Sequence, residues 1–490
     1  LLQPAGAIAS AWDFQWQRFL FDLFPKGTGF PPLQAPAITD DLPLAPVQAF
    51  SIDDSHTTEI DDALSLQGLG TGMVTVGIHI AAPGLALQPG SPIDQLGRAR
   101  LSTVYMPGYK ITMLPDSVVQ AYTLIEGRDC PAVSLYVTFS EDTLEVQSSV
   151  TRLERVPILV NLRHDQLDDR ITREWLEGED QSDHADVPVS RHTLAFFWRL
   201  AQTLKARREV VRGKPENFNR PDYSFKLERD HNDTPPTGDE TVVIGTRKRG
   251  APLDLMVAEA MILANSTWGQ WMAQLGVPGI YRSQASLAPG VKVRMGTKAL
   301  PHAGIGVPSY AWSTSPLRRY TDLVNQWQII ACAQHGATAA LAAPFKPKDA
   351  ELFSIISGFD AAYSAYNSVQ SSMERYWTLR HVEQQGIEEL EASLVKEMGG
   401  GSWLVRADSL PLMFSVMGAQ GLMRGARVRV KLGQVDLMAL DVNGTVTAHL
   451  DAPVVSADQE SDEAEEDEAM AAGPLTIAVD LNDSTQSDGA

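Results

Sequence analysis

Cysteine is nearly absent from this chain of 490 residues. The two present, Cys130 and Cys332, stand too far apart for a metal or redox motif and offer no disulfide framework. A reducing cytoplasm is therefore the expected location. No run approaches the ~18 consecutive apolar residues that span a bilayer, so an integral membrane protein is not expected. The opening LLQPAGAIAS lacks a basic stretch, and no secretory leader is read there. The sequence holds no Walker loop, HExxH, GxSxG or zinc-ligand spacing, which argues against nucleotide hydrolases of those types. No repeat recurs at periods of about 20–50 residues.

What is abundant is negative charge, and it is unevenly placed. The formal net charge is −21, with 61 acidic residues against 40 basic ones. Residues 451–490 hold 12 acids and no Lys or Arg, which leaves 49 acids against 40 bases in residues 1–450. The block from Asp458 to Glu468 repels itself, so 453–490 reads as a disordered, solvated tail. Global acidity therefore does not exclude a nucleic-acid partner, because a local basic channel can dominate at the site.

With 44% hydrophobic residues the chain can bury a large core, and its length suggests about three domains. Residues 1–45 open with WDFQWQRFLFDLF, whose aromatic spacing predicts one helix docked on the body, followed by a Pro-rich linker, 29–46. From 47 to about 137 the pattern is strands and turns, including VTVGIHIA and AVSLYVTF. Helices are predicted at 192–212, 253–275, 317–335 and 350–396, so the body reads as α+β. After Gly399-Gly400-Gly401 come short β-rich pieces. In one, Arg427, Arg429 and Lys431 alternate with Val428, Val430 and Leu432. These fit a small five-stranded OB-type barrel, with an amphipathic edge hairpin as the alternative.

Two clusters carry candidate chemistry. In SIDDSHTTEIDDALSL, residues 51–66, the carboxylates Asp53, Glu59, Asp61 and Asp62 fall within ten residues and are embedded among apolar neighbours. Crowded carboxylates repel unless a cation neutralises them, and hard oxygen ligands suit Mg²⁺ or Mn²⁺. An EF-hand fails because Thr58 and Leu64 stand where its Gly and Glu belong. A structural acidic turn remains the alternative. In YAWSTSPLRRYTDLVNQW, residues 310–327, Ser315-Pro316 predicts a helix start with Arg318 and Arg319 in the first turn. That arrangement can hold phosphate, or it can be an internal salt bridge to Asp322. Metal-holding carboxylates with phosphate-holding arginines imply phosphoryl chemistry.

Together these motifs resemble the ribonuclease II / ribonuclease R family, whose catalytic unit is the RNB domain. SIDDSHTTEIDDAL and TSPLRRYTDL carry the resemblance, with VGIHIA, STVYMPG, MLP, RPDYSF and AEAMILAN in family order between them. It covers roughly residues 46–390. The resemblance implies an RNB domain, a mixed β-sheet with surrounding helices forming an RNA channel, followed by an S1-type OB barrel at 391–452. It also implies a processive 3′→5′ exoribonuclease that uses Mg²⁺ (Mn²⁺ as alternative) to cut single-stranded RNA to nucleoside 5′-monophosphates. By motif position, Asp53, Glu59, Asp61 and Asp62 look like the metal carboxylates, with Asp61 and Asp62 catalytic. Arg318 looks like the phosphate-holding arginine, with Arg319 beside it. Tyr105 and Phe225 resemble the aromatic pair that clamps terminal bases, and Glu259 the acid near the terminal ribose.

The chain also departs from the family. Glu59 replaces an Asp, the family's His-Ile-Ala-Asp is His79-Ile80-Ala81-Ala82, and family histidines appear as Trp312, Gln284 and Gln326. About 45 leading residues cannot hold even one of the family's cold-shock barrels, so either a compact helical element is expected there, helix-turn-helix-like if upstream residues are missing, or the chain is truncated. Lys205, Arg207, Arg208, Arg247, Lys248 and Arg249 are candidate channel bases. A monomer is expected, with no membrane partner and no cleavage of DNA. A catalytically silent RNA-binding protein and a metal-dependent DNA exonuclease are the competing readings.

Overall fold

The computed structural model describes residues 9–216, 221–229, 233–248, 250–288 and 290–450. The acidic tail and Arg249 lie outside the described residues, as do the side chains of Arg247 and Lys248. No helix among the described residues is long and apolar enough to cross a membrane.

A closed five-stranded barrel forms the heart of the body. Its strands are β1 (Ala49–Asp53), β2 (Asp62–Gln67), β3 (Met73–Ala81), β4 (Asp129–Ser140) and β5 (Val146–Arg163). Neighbours pair antiparallel in chain order, and β1 closes the ring against β5 in parallel, with Asp53 opposite Arg163. An odd number of up-and-down strands can close only with one parallel pair. The expected mixed sheet is thus curled on itself, a closure that alternation along single strands does not reveal.

Both faces of β3 are buried. Val74, Val76, Ile78 and Ile80 share a core with residues of α3 (Arg191–Arg212) and α4 (Pro252–Gln274), among them Leu194, Phe197, Ala260 and Trp268. The other face carries His79, which is fully buried and hydrogen-bonded to Ser65 and Ser134 on the flanking strands, both at 2.8 Å. Burial pushes its pKa down to about 3, so the ring is neutral.

The shorter α2 (Pro92–Arg100) lies earlier in the chain, and two further long helices belong to the body, α5 (Tyr320–His335) and α6 (Ala350–Gln384). The former begins three residues later than predicted, because Arg319 is held extended and bridges to Ser102. The latter ends twelve residues earlier than predicted. Gly386 turns the chain at φ +61°, and 389–399 alternates Leu390, Ala392 and Leu394 into a second core.

That core belongs to a second closed barrel, formed by β6 (Glu389–Gly399), β7 (Ser402–Ala407), β8 (Met413–Met417), β9 (Arg427–Leu432) and β10 (Asn443–Leu450). The ring order β6-β7-β8-β10-β9, with β8 parallel to β10, is an OB-type Greek key. Val428 and Val430 point into its core. Arg427 pairs with Glu391 and Asp408, Arg429 pairs with Glu391, and Lys431 stands opposite Glu389. The basic face read from the sequence is therefore matched by acids on adjacent strands.

The aromatic segment near the start forms α1 (Ala11–Leu23), capped by Ser10 accepting from the Asp13 N–H. Trp12 is buried against Tyr376 and Trp377 of α6, with ring centroids at 5.0 and 5.3 Å. Gln15 donates to the Met438 carbonyl at 2.9 Å, and Arg375 on α6 donates to the Met413 and Leu440 carbonyls. The helix and α6 together grip the second barrel. Trp12→Ala should lower stability by roughly 3–5 kcal/mol, as expected for a buried aromatic truncation. Guanidinium unfolding followed by tryptophan fluorescence would read this, and an unchanged midpoint would contradict the packing described.

Candidate active site

The acidic cluster lies at one end of the first barrel. Asp53 is the last residue of β1 and Asp62 the first of β2, so the loop 54–61 between them presents Glu59 and Asp61 beside both. That loop is pinned from several sides. The Ile60 N–H donates to Thr123 Oγ1 at 2.8 Å, the Leu124 N–H to the Ile60 carbonyl, and the Ala81 N–H to the Asp61 carbonyl. Arg163 donates to the carbonyls of Asp54 and Thr57. Asn161 Nδ2 donates to Ser51 Oγ at 2.9 Å, which in turn donates to Asp53 Oδ2 at 2.5 Å.

The second motif reaches this cluster. Ser315–Arg318 is a tight turn rather than the first turn of α5, with the Arg318 and Arg319 N–H groups both directed at the Ser315 carbonyl. The turn leaves the Leu317 N–H free to donate to Asp61 Oδ1 at 2.9 Å, while Arg318 Nε lies 3.3 Å from Asp61 Oδ2. Arg318 is about a quarter exposed, so its guanidinium borders the opening while Asp61 is buried.

Arg319 faces the other way. It is buried, bidentate to Asp322 at 2.9 and 2.8 Å, and stacked 4.2 Å from the Trp312 ring, whose other cationic neighbour is Arg282 at 4.3 Å. The salt bridge to Asp322 thus belongs to Arg319, while Arg318 lies against Asp61. Two of the departures from the family also find partners. Trp312 is this stacking surface, and Gln326 links α5 to the end of β3 through the Ala81 carbonyl and the Gly84 N–H.

Burial dominates the electrostatics. It pushes Asp53 up to about 6, against the Ser51 hydroxyl and the charge of Arg163. It pushes Asp61 up to about 7, against Arg318 and the Leu317 N–H. Asp62 is raised well above the carboxylate range by burial and then by the charges of Asp53 and Asp61. Asp61 Oδ2 is buried and accepts no hydrogen bond. Crowded, half-buried to buried carboxylates, one with an oxygen that accepts no hydrogen bond, fit a hard divalent cation, which Asp53, Asp61 and Asp62 would hold.

Glu59 is differently placed. It is buried, accepts from Thr103 Oγ1 at 3.3 Å and is ion-paired with Lys110, which also donates to Thr58 Oγ1 at 2.7 Å. Lys110 was not legible in the sequence, because it meets Glu59 across 51 residues. Likewise Asp54, His164 and Asp165 bring possible ligand atoms within 4.8 Å of one another at the adjoining ends of β1 and β5, a grouping the sequence separates by 110 positions.

Tyr105 lies on the hairpin Val104–Met106/Tyr109–Ile111, directly opposite Lys110. Burial, then the charges of Glu59 and Asp61, push its hydroxyl above the usual range, against the charges of Arg318 and Arg319. Phe225 lies on a second hairpin, Pro221–Glu228/Thr241–Lys248, and is partly buried in the core that α1 and the Tyr105 hairpin share. Leu227, two residues on, packs against Gly108; a Cβ there would stand 2.5 Å from its Cδ1, so the turn needs glycine for space as well as for its φ of +71°.

Glu259 on α4 is buried and ion-paired. Both its oxygens bind Arg208 of α3, which also contacts Glu216 and the Ile305 carbonyl. Of the other candidate bases, Lys205 pairs with Glu209, and Arg207 with Glu145 and the Leu144 and Thr143 carbonyls.

Comparison with known proteins now places this arrangement. An uncharacterized ribonuclease of Synechocystis is 26% identical over 396 residues, covering 76% of this chain and 53% of that protein. The chain spans about half the length of the curated relatives it matches. Mycoplasma genitalium RNase R in complex with ribose-methylated single-stranded RNA superposes with a TM-score of 0.67 at 14% identity, covering 87% of this chain and 75% of that one. Yeast Ssd1, a pseudonuclease, does so at 0.60 and 16% identity, covering 86% and 58%. These two likenesses concern the fold. The family model described as the RNB domain matches residues 43–292 and 291–335, more than half of the sequence, and the chain therefore belongs to the RNB domain family.

Proposed function

We propose that this chain is a 3′→5′ exoribonuclease that hydrolyses single-stranded RNA to nucleoside 5′-monophosphates with Mg²⁺, or Mn²⁺ in its place. The observation that carries the reading is the clamp on Asp61: one carboxylate held by the Leu317 N–H and bordered by Arg318, beside Asp53 and Asp62. A divalent ion held there would lower the pKa of bound water and neutralise charge on the phosphate.

The chain's own residues do the rest. Arg318, at the opening, faces the phosphate and stabilises the charge that develops on its oxygens. The Leu317 N–H fixes the direction of the Asp61 carboxylate, and Ser51 fixes that of Asp53. Tyr105 and Phe225 offer stacking faces to terminal bases, worth roughly 1–3 kcal/mol per base without sequence preference. Arg319 and Glu259 are engaged by Asp322 and Arg208, and act as framework rather than as substrate contacts.

With 5′-labelled single-stranded RNA, the wild-type protein should shorten the strand to a small end product in Mg²⁺ and not in EDTA. Asp61→Asn should lower turnover by at least about 10³-fold while RNA affinity stays within a few-fold. Binding without shortening by the wild type would establish the silent RNA-binding reading instead. Tyr105→Ala should change the length of the end product, and an unchanged ladder would remove the clamp.

The site also predicts a pH dependence. Asp53 and Asp61 hold protons up to about 6 and about 7 when folded, whereas an unfolded carboxylate releases them near 4. Their stabilising contribution is complete below about pH 4 and lost as pH rises through 6 and 7. In EDTA, thermal stability of the wild type should therefore fall between pH 5 and 7 relative to Asp61→Asn. Parallel curves would contradict the burial of this carboxyl.

A further inference from the structure

The side of the site that carries Glu59 is built differently from the rest. Asp53, Asp61 and Asp62 crowd their carboxylate charges, and Asp61 Oδ2 accepts no hydrogen bond and meets only the Arg318 guanidinium. Glu59 has a donor on each oxygen, Thr103 Oγ1 on Oε1 and the Lys110 ammonium on Oε2. Its extra methylene, relative to aspartate, carries the carboxylate away from the loop toward the hairpin 104–111. Lys110 is fixed in turn by Thr58 and shares its rung with Tyr105, so the ammonium is an integral part of this wall.

We propose that Lys110 withdraws Glu59 from metal ligation and supplies the positive charge on that side, so that the cluster takes one divalent ion, on Asp53, Asp61 and Asp62. This rests on the metal-dependent reading above. The Lys110 ammonium already meets the Glu59 charge, and a divalent ion entering beside an ammonium meets direct repulsion. With about a quarter of its side chain exposed, Lys110 also lies within reach of solvent at the site.

Counting bound Mn²⁺ by electron paramagnetic resonance tests this without reference to activity. The exposed Asp165 is changed to Asn in every protein, so that the Asp54–His164–Asp165 group does not add an ion of its own. The Asp165→Asn protein should bind one Mn²⁺, and adding Asp61→Asn should weaken it by at least about tenfold. Adding Lys110→Met should yield a second ion, or tighten the first by about tenfold. Glu59→Gln on top should reverse that gain, and Lys110→Arg, which keeps the pair, should leave the count at one. Two ions in the Asp165→Asn protein would overturn the proposal, as would Lys110→Met with unchanged count and affinity. Absence of any bound Mn²⁺ would overturn the metal reading itself, an outcome distinct from either.

Discussion

The contact on which the site depends joins Asp61 to the turn at Leu317 and Arg318. Burying a carboxylate is costly unless donors or charges meet it, and here one backbone N–H and one guanidinium arrive from a segment 256 residues away. The turn can offer that N–H because the helix starts at Tyr320, and the helix starts there because Arg319 is extended against Ser102 and closed onto Asp322. Adjacent arginines thus have opposite duties, one fixing the turn from behind and one bordering the opening.

The barrel makes the other half of the arrangement. Its parallel seam brings the end of β1 and the end of β5 to the same rim, so Asp53 lies beside Arg163 and His164, while the antiparallel start of β2 returns Asp62 to the same place. Four acidic side chains gather within one short loop because both flanking strands end on this rim. The polar bonds of Ser51, Asn161 and Thr123 then hold the loop from below.

Much of this was legible in the sequence. Helical periodicity located α3 and α4 to within a residue at each end, alternation located β3 and the second barrel, and the dense carboxylates announced the site. What could not be read was anything decided by tertiary partners. Nothing local says that Arg319 turns inward and Arg318 outward, that Glu259 is bound on both oxygens by Arg208, or that Lys110 reaches Glu59. The overlong helix at 350–396 failed because 389–396 satisfies a helical and a strand pattern alike, and Gly386 together with the barrel core decides between them.

The packing of α1 bears on how such a chain is made. Trp12 finds Tyr376 and Trp377 across more than 360 positions, and Gln15 finds a carbonyl at 438. At the ~5–20 residues per second of synthesis, this aromatic helix waits roughly 20–70 s for the surface that will cover it. Through that interval Trp12, Trp16 and Phe19 are an adhesive patch on an unfinished polypeptide. The helix that fastens the finished molecule is thus a segment whose apolar face stays uncovered until the chain is nearly complete to Trp377.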